Sequence, residues 1–375
     1  FHSRGIVNIP RLWSAPINHY RLNDRNEIII DYDKQSKHIK YISQYIGGHL
    51  INGSTGDGWI INDMFAKVEI AKNILNSLDT IGNEHLKKPL MFGCLEESID
   101  NKMLLIDRYI EMLLNNYNCN DSNEFLDRYV YSKDDGSPFI GFCINPESNN
   151  KDMKSVKQGI VSILKKYEKF PCILYQIPQI TNSEIDPESF KDICDNHPNL
   201  IILKDTSTED KIVESGLDFK GIFAIKGTDK NIIEYLLPKQ NGFISYNAVM
   251  TANSNYYSKI LYQLLDELCT KNNITKALEL SKLIDTLYTK TFDVVKSYPF
   301  STPFQNCALM IDHINAYGID SCLDTLPTTF EGKTFDPNDI QKLYNILKES
   351  ITDYEPDLYY QKKRKISNER VGGHT

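Results

Sequence analysis

The chain has 375 residues, 41% of them hydrophobic and 25% charged, with a formal net charge of -8. That is an ordinary globular composition, long enough for one large α/β domain with additions or for two domains, and the acidic balance argues against general nucleic-acid binding. No apolar run reaches the roughly 18 residues of a membrane helix, and the start at Phe1 lacks a signal-peptide core, so no membrane partner is expected.

Residues 1–10 read as a loose lead-in, and Leu12 to Ile17 as a first strand. Asn23 to Asn26 is a turn, and a helix follows from about Lys34 to Tyr45. His49 to Asn52 is a short strand closed by the loop Gly53-Ser54-Thr55-Gly56-Asp57-Gly58. The next helix carries Phe65, Val68, Ile74, Leu75 and Leu78 at near-helical spacing. Pro89 to Cys94 is a third strand, and a helix runs from about Ile99 to Leu114. Residues 117–137 lose the rhythm and read as an inserted loop with room for one helical turn. Phe139 to Ile144 is a fourth strand, and Met153 to Tyr167 is an amphipathic helix. Pro171 to Pro178 is a fifth strand. Asp186 and Pro187 start a helix that ends at His197-Pro198. Leu200 to Lys204 is a sixth strand, Gly221 to Gly227 a seventh and Gly242 to Tyr246 an eighth.

Strand and helix thus alternate about eight times before residue 250, which is what a (β/α)8 TIM barrel needs. The competitor is an open doubly wound sheet, which usually has fewer strands. The expected fold is α/β, with the barrel over residues 8–250, a C-terminal helical extension over 251–350 and a polar basic tail over 351–375. That tail contains Lys362-Lys363-Arg364-Lys365, read as solvated.

The eight cysteines are scattered, with no CxxC pair and no His/Cys cluster at zinc spacing. Reduced thiols, a cytoplasmic location and no bound metal are expected.

Chemistry centres on Leu200-Ile201-Ile202-Leu203-Lys204-Asp205-Thr206-Ser207. An unbroken apolar run reads as a strand buried on both faces, which puts Lys204 at its carboxyl end. Burial disfavours the ammonium, and a neutral amine can attack a carbonyl. Taken alone, the stretch fits equally well an exposed lysine just past a strand end. In a barrel the active site lies at the carboxyl ends of the strands. The polar residues there are Ser54, Thr55, Asn145, Tyr175, Lys204, Lys226, Asp229, Ser245 and Asn247. Tyr175 and Lys204 end neighbouring strands about 4.8 Å apart, so the two side chains can converge. A tyrosine beside an amine–carbonyl centre can shuttle protons. The Gly53–Gly58 loop offers backbone N–H groups and two hydroxyls, which suits a carboxylate or phosphate, although a tight turn looks the same.

Together these pieces resemble the pyruvate-dependent class I aldolase family, which includes dihydrodipicolinate synthase and N-acetylneuraminate lyase. Gly53-Ser54-Thr55-Gly56-Asp57 is similar to the family's carboxylate-holding loop, and Tyr175-Gln176-Ile177-Pro178 to the strand end with its proton-shuttling tyrosine. Leu203-Lys204-Asp205-Thr206-Ser207 resembles the Schiff-base lysine segment. Gly227-Thr228-Asp229 and Gly242-Phe243-Ile244-Ser245 resemble the last two strand ends. The resemblance covers about residues 12–250.

It implies a carbon–carbon lyase acting through a lysine imine on pyruvate or another 2-oxo acid and an aldehyde, with no cofactor. Lys204 and Tyr175 would be catalytic, with Ser54, Thr55, Gly227, Asp229, Ser245, Asn247 and Lys226 binding substrate. Lys226 is a rival amine by position. The expected partner is a second copy of the chain, as a homodimer or homotetramer.

Three departures bear on the second substrate. Asn145-Pro146-Glu147-Ser148-Asn149 lacks the tyrosine that completes the synthase's proton relay across a subunit interface. Ile180 replaces the synthase's carboxylate-binding arginine, and Lys230 replaces the lyase's sugar-binding glutamate. The pyruvate half of the site therefore looks kept and the other half rewritten. A synthase or hydratase-aldolase, and a non-catalytic 2-oxo-acid-binding paralogue, are the alternatives to an N-acetylneuraminate-lyase-like or 2-keto-3-deoxy-acid-aldolase-like enzyme.

Overall fold

In the computed structural model, residues 9–79, 88–131, 139–237 and 246–360 are described. The barrel strands are β1 (Leu12–Ser14), β4 (Gly48–Ile51), β5 (Leu90–Cys94), β6 (Phe139–Ile144), β7 (Cys172–Gln176), β8 (Leu200–Asp205), β9 (Phe223–Gly227) and β10 (Ala248–Met250). All pair in parallel and close in the order β1-β10-β9-β8-β7-β6-β5-β4. The chain is a (β/α)8 barrel with C-terminal helices. β6, β7 and β8 are buried at every position, because one face fills the barrel and the other lies under helices. No helix among the described residues is long and apolar enough to cross a membrane.

Two short strands lie outside the barrel. β2 (Tyr20–Leu22) and β3 (Ile28–Ile30) form an antiparallel hairpin around the expected Asn23–Asn26 turn. The Asn23 side chain accepts from the backbone N–H groups of Arg25 and Glu27, both at 2.9 Å, and Asn26 takes φ 58°. Within the expected insertion, Ser122–Tyr129 is a helix capped by Asp121 that buries Phe125 and Leu126. Residues 132–138 lie outside the described residues.

The expected eighth strand needs correction. Residues 242–245, Ser245 among them, lie outside the described residues, and the closing strand is Ala248–Met250. Leu12 pairs with Val249 and Trp13 with Met250, which joins the last strand to the first.

Helices Ser258–Leu265, Ile274–Val295, Pro303–Tyr317, Ile319–Asp324 and Pro337–Ser350 form the C-terminal bundle over a second core around Leu287, Met310, Ile314 and Leu343. Pro303–Tyr317 is buried nearly all round, as expected of a helix wedged between barrel and bundle. Thr302 and Gln305 form a capping box at its start, which brings this helix end to the barrel mouth.

Candidate active site

β7 and β8 set the site. Tyr175 lies opposite Lys204 across the ladder, and Lys204 opposite Ile225. Side chains alternate faces along a strand, so Lys204 points into the barrel mouth and Asp205 points outward. Lys204 and Tyr175 are 4% and 2% exposed, and the Lys204 Nζ lies 3.2 Å from the Tyr175 ring centroid. That is a cation–π geometry with the ammonium on the ring face. Thr206, at the start of the following loop, connects the two. Its Oγ1 accepts from Lys204 Nζ at 3.4 Å and donates to the Tyr175 hydroxyl at 3.4 Å. Gly227 packs directly against that hydroxyl, since a Cβ at this position would sit 2.3 Å from Thr206 Oγ1.

The loop after β4 supplies the opposite wall. A Cβ at Gly56 would meet the Pro16 carbonyl oxygen at 2.4 Å, and one at Gly58 would meet that of Asn52 at 2.1 Å. These close approaches explain the glycines. Asp57 takes φ 59° and is buried, with the Tyr20 hydroxyl donating to it at 2.6 Å and Gln305 Nε2 donating to its other oxygen. Burial pushes the Asp57 carboxyl up to about 7, with the Tyr20 bond pulling the other way. The loop so anchored presents Ser54 and Thr55 to the cavity. The Ser54 Oγ lies 3.2 Å from the Tyr175 hydroxyl and accepts from Trp59 Nε1 at 3.1 Å. Tyr175, Ser54, Thr206 and Lys204 thus form one chain of polar contacts.

The cavity at the barrel mouth holds about 420 Å³, a volume typical of small-molecule sites. Lys204, Tyr175, Ser54, Thr55, Gly227 and Asp229 line it together. Asp229 accepts from Thr251 Oγ1 and from the Ala252 N–H, both at 2.7 Å, and so ties the end of β9 to the end of β10. Burial raises its carboxyl pKa, against the bonds from Thr251 and Ala252.

Two expected site residues lie elsewhere. Lys226 pairs with Asp205 in the ladder and shares its outward face. Its Nζ donates to the Ser207 carbonyl at 2.7 Å and to Asp210, beneath the ring of Tyr246. It does not line the cavity, because strand alternation turns it away. Asn247 precedes the last strand instead of following it. Its Oδ1 accepts from the Ala224 N–H at 2.8 Å, at the amino end of the barrel. Ser245 lies outside the described residues. Asn145 is buried and does not line the cavity, and its Nδ2 donates to the carbonyls of Glu96 and Pro146.

Sequence reading gave no role to Thr206, Trp59, Thr251 or Gln305. Thr206 stood inside a quoted motif, and its spacing of two from Lys204 was the available signal. Gln305 comes from the C-terminal bundle, and no local pattern links it to Ser54.

Among the described residues, His19, His38 and Asp312 are the one group whose ligand atoms gather closely enough for a metal ion. None lines the cavity. His19 Nε2 and His38 Nδ1 each lie 2.8 Å from an oxygen of Asp312, and the Tyr359 hydroxyl donates to the same carboxylate at 2.5 Å. The group therefore reads as a buried carboxylate satisfied by three donors. Its members are far apart in sequence, so no spacing motif exists to find.

The fold and site define a (β/α)8 barrel with a buried lysine–tyrosine pair at the carboxyl ends of adjacent strands. Residues 142–309 match the model of the dihydrodipicolinate synthetase family, the family that the sequence motifs resemble. Solved structures with the same fold include a dihydrodipicolinate synthase of Bacillus anthracis (TM-score 0.66, 13% identity, 92% of this chain and 100% of that one). Another is an Escherichia coli prophage protein of the dihydrodipicolinic acid synthase family, in complex with pyruvate (0.67, 13%, 92% and 99%). A third is CdNal of Clostridium difficile in complex with mannosamine (0.67, 13%, 92% and 100%). At these identities the likeness is one of fold.

Proposed function

We propose that the protein is a lysine-imine lyase/aldolase that makes or breaks a carbon–carbon bond between pyruvate, or a related 2-oxo acid, and an aldehyde. The observation that carries this reading is the placement of Lys204 Nζ on the Tyr175 ring, at the wall of a cavity that the hydroxyl-bearing Ser54–Thr55 loop also lines. The family match supports the reaction class. Lys226, the rival amine, is already held by Asp210 and the Ser207 carbonyl.

In this mechanism the Lys204 amine attacks C2 of the 2-oxo acid, and water leaves to give the imine. The protonated imine draws electrons from C3, so a C3 proton is lost and an enamine forms. The enamine attacks the aldehyde carbon, whose oxygen takes up a proton, and water then hydrolyses the imine. Tyr175 carries these protons, with its hydroxyl oriented by Ser54 and Thr206. Ser54 and Thr55 bind the carboxylate. Asp229 acts indirectly, holding the strand ends that frame the cavity, and Gly227 leaves the space that Thr206 occupies.

Incubation with pyruvate followed by borohydride should leave a permanent adduct on Lys204. An unmodified Lys204, or an adduct on Lys226, would refute the assignment. The protein is further expected to act in the cytoplasm, in keeping with its free cysteines, and, second, to be a homo-oligomer. A monomer by light scattering at micromolar concentration would contradict the second point.

A further inference from the structure

We propose that the aldehyde half of this site takes a partner with an apolar substituent, aromatic or branched aliphatic, and rejects aldehydes bearing a carboxylate or several hydroxyls. The proposal rests on the reading of Lys204 as the imine-forming amine. Away from Lys204, Tyr175 and the Ser54–Thr55 loop, the cavity wall is built from Trp59, Ile60, Ile177, Ile180, Met250 and Phe304. Ile180 and Phe304 are 47% and 37% exposed and stand together in this lining. Apolar surface left open at a concave site marks where a ligand supplies the missing contacts.

The main donors in the wall are already engaged. Gln179 Nε2 donates to the Thr206 carbonyl at 2.8 Å, and Gln305 uses its amide on Asp57 and on the Thr302 N–H. Thr251 Oγ1 donates to Asp229, and Thr228 Oγ1 donates to the Lys230 carbonyl at 2.8 Å. An array of sugar hydroxyls would therefore compete for donors that are already in use.

Among the described residues, cations are missing from this half as well. Among the described residues, Lys204 is the only lysine or arginine in the lining. In the imine its charge is committed to the electron sink. Lys226 faces outward, and Lys230 lies with its Nζ 4.9 Å from the Tyr288 ring centroid, outside the cavity. A second carboxylate would be desolvated here with no cation of the described lining to pair it. An apolar aldehyde meets neither cost. Attack of the enamine C3 on its carbonyl carbon forms the new bond, the carbonyl oxygen gains the proton, and hydrolysis frees a 4-hydroxy-2-oxo acid and Lys204.

The test gives the full-length protein pyruvate together with benzaldehyde, 2-methylpropanal, glyceraldehyde or glyoxylate, and follows product mass and kcat/KM. Borohydride trapping with pyruvate alone runs beside it. The expected result is a Lys204 adduct and kcat/KM for the two apolar aldehydes at least about tenfold above the two polar ones. Ile180→Arg should move the benzaldehyde-to-glyoxylate ratio at least about tenfold toward glyoxylate. An adduct accompanied by preference for the polar aldehydes, by no turnover of the apolar ones, or by an unmoved ratio in the variant overturns this proposal alone. Absence of the adduct overturns the imine reading, and this proposal with it.

Discussion

Gly227→Ala isolates the role of the Thr206 hydroxyl without touching Lys204 or Tyr175. Gly227 is not in the left-handed region, so the added methyl acts by sterics rather than by backbone strain. It would sit 2.3 Å from Thr206 Oγ1 and 3.2 Å from Thr206 Cβ. Restoring ordinary contact moves the hydroxyl by about 1 Å, which takes it out of reach of Lys204 Nζ and Tyr175, both now at 3.4 Å. Overpacking of this kind costs about 1–3 kcal/mol of stability. A lost hydrogen bond to a charged partner is worth about 1.5–3 kcal/mol, so turnover should fall roughly 10- to 100-fold. The assay combines urea unfolding with single-turnover rates for wild type, Gly227→Ala, Thr206→Ala and the double variant. The double variant should match Thr206→Ala, because the clashing atom is gone. A folded Gly227→Ala within about twofold of wild type, or strictly additive losses in the double variant, would refute the reasoning.

Other perturbations probe the remaining parts. Tyr175→Phe keeps the ring under Lys204 and should fold normally, with turnover down roughly 10²–10⁴-fold in single-turnover assays; a loss under about threefold would assign proton transfer to another group. Asp57 is held protonated toward pH 7, so the folded state keeps a proton that the unfolded state releases near pH 4, and stability falls as pH rises through that window. Asp57→Asn mimics the protonated carboxyl, and its advantage over wild type in urea unfolding should grow by about 1–4 kcal/mol between pH 4 and pH 8; a constant gap would contradict this. Asp312→Asn strips a buried carboxylate from His19, His38 and Tyr359 and should cost about 3–5 kcal/mol by urea unfolding, with a loss below about 1 kcal/mol counting against the network.

Much of the barrel was legible because a strand buried on both faces leaves a continuous apolar run, as in Leu200–Leu203 and Phe139–Ile144. The pairing of Tyr175 with Lys204 was legible for the same reason, since both close such runs. The eighth strand was not, because its three residues carry no period and closure against Leu12 and Trp13 decides it. Lys226 was misplaced because alternation fixes faces within a strand, whereas the register to β8 is a property of the assembled sheet. Asn247 went astray with its strand. Trp59 and Gln305 reach the site through the loop fold and the bundle, which are long-range packing and leave no local mark. The His19–His38–Asp312 group joins the segment just before the hairpin, the first helix and the C-terminal bundle, and is invisible to spacing for that reason.

The central claim is that Lys204 turns pyruvate into an enamine, and it can be tested without knowing the aldehyde. Enamine formation and reversal exchange the methyl protons of pyruvate with solvent. In deuterated buffer, proton NMR of pyruvate should show the methyl signal fading with wild type at least about tenfold faster than with folded Lys204→Ala or with buffer alone. Equal rates for wild type and Lys204→Ala would contradict the account.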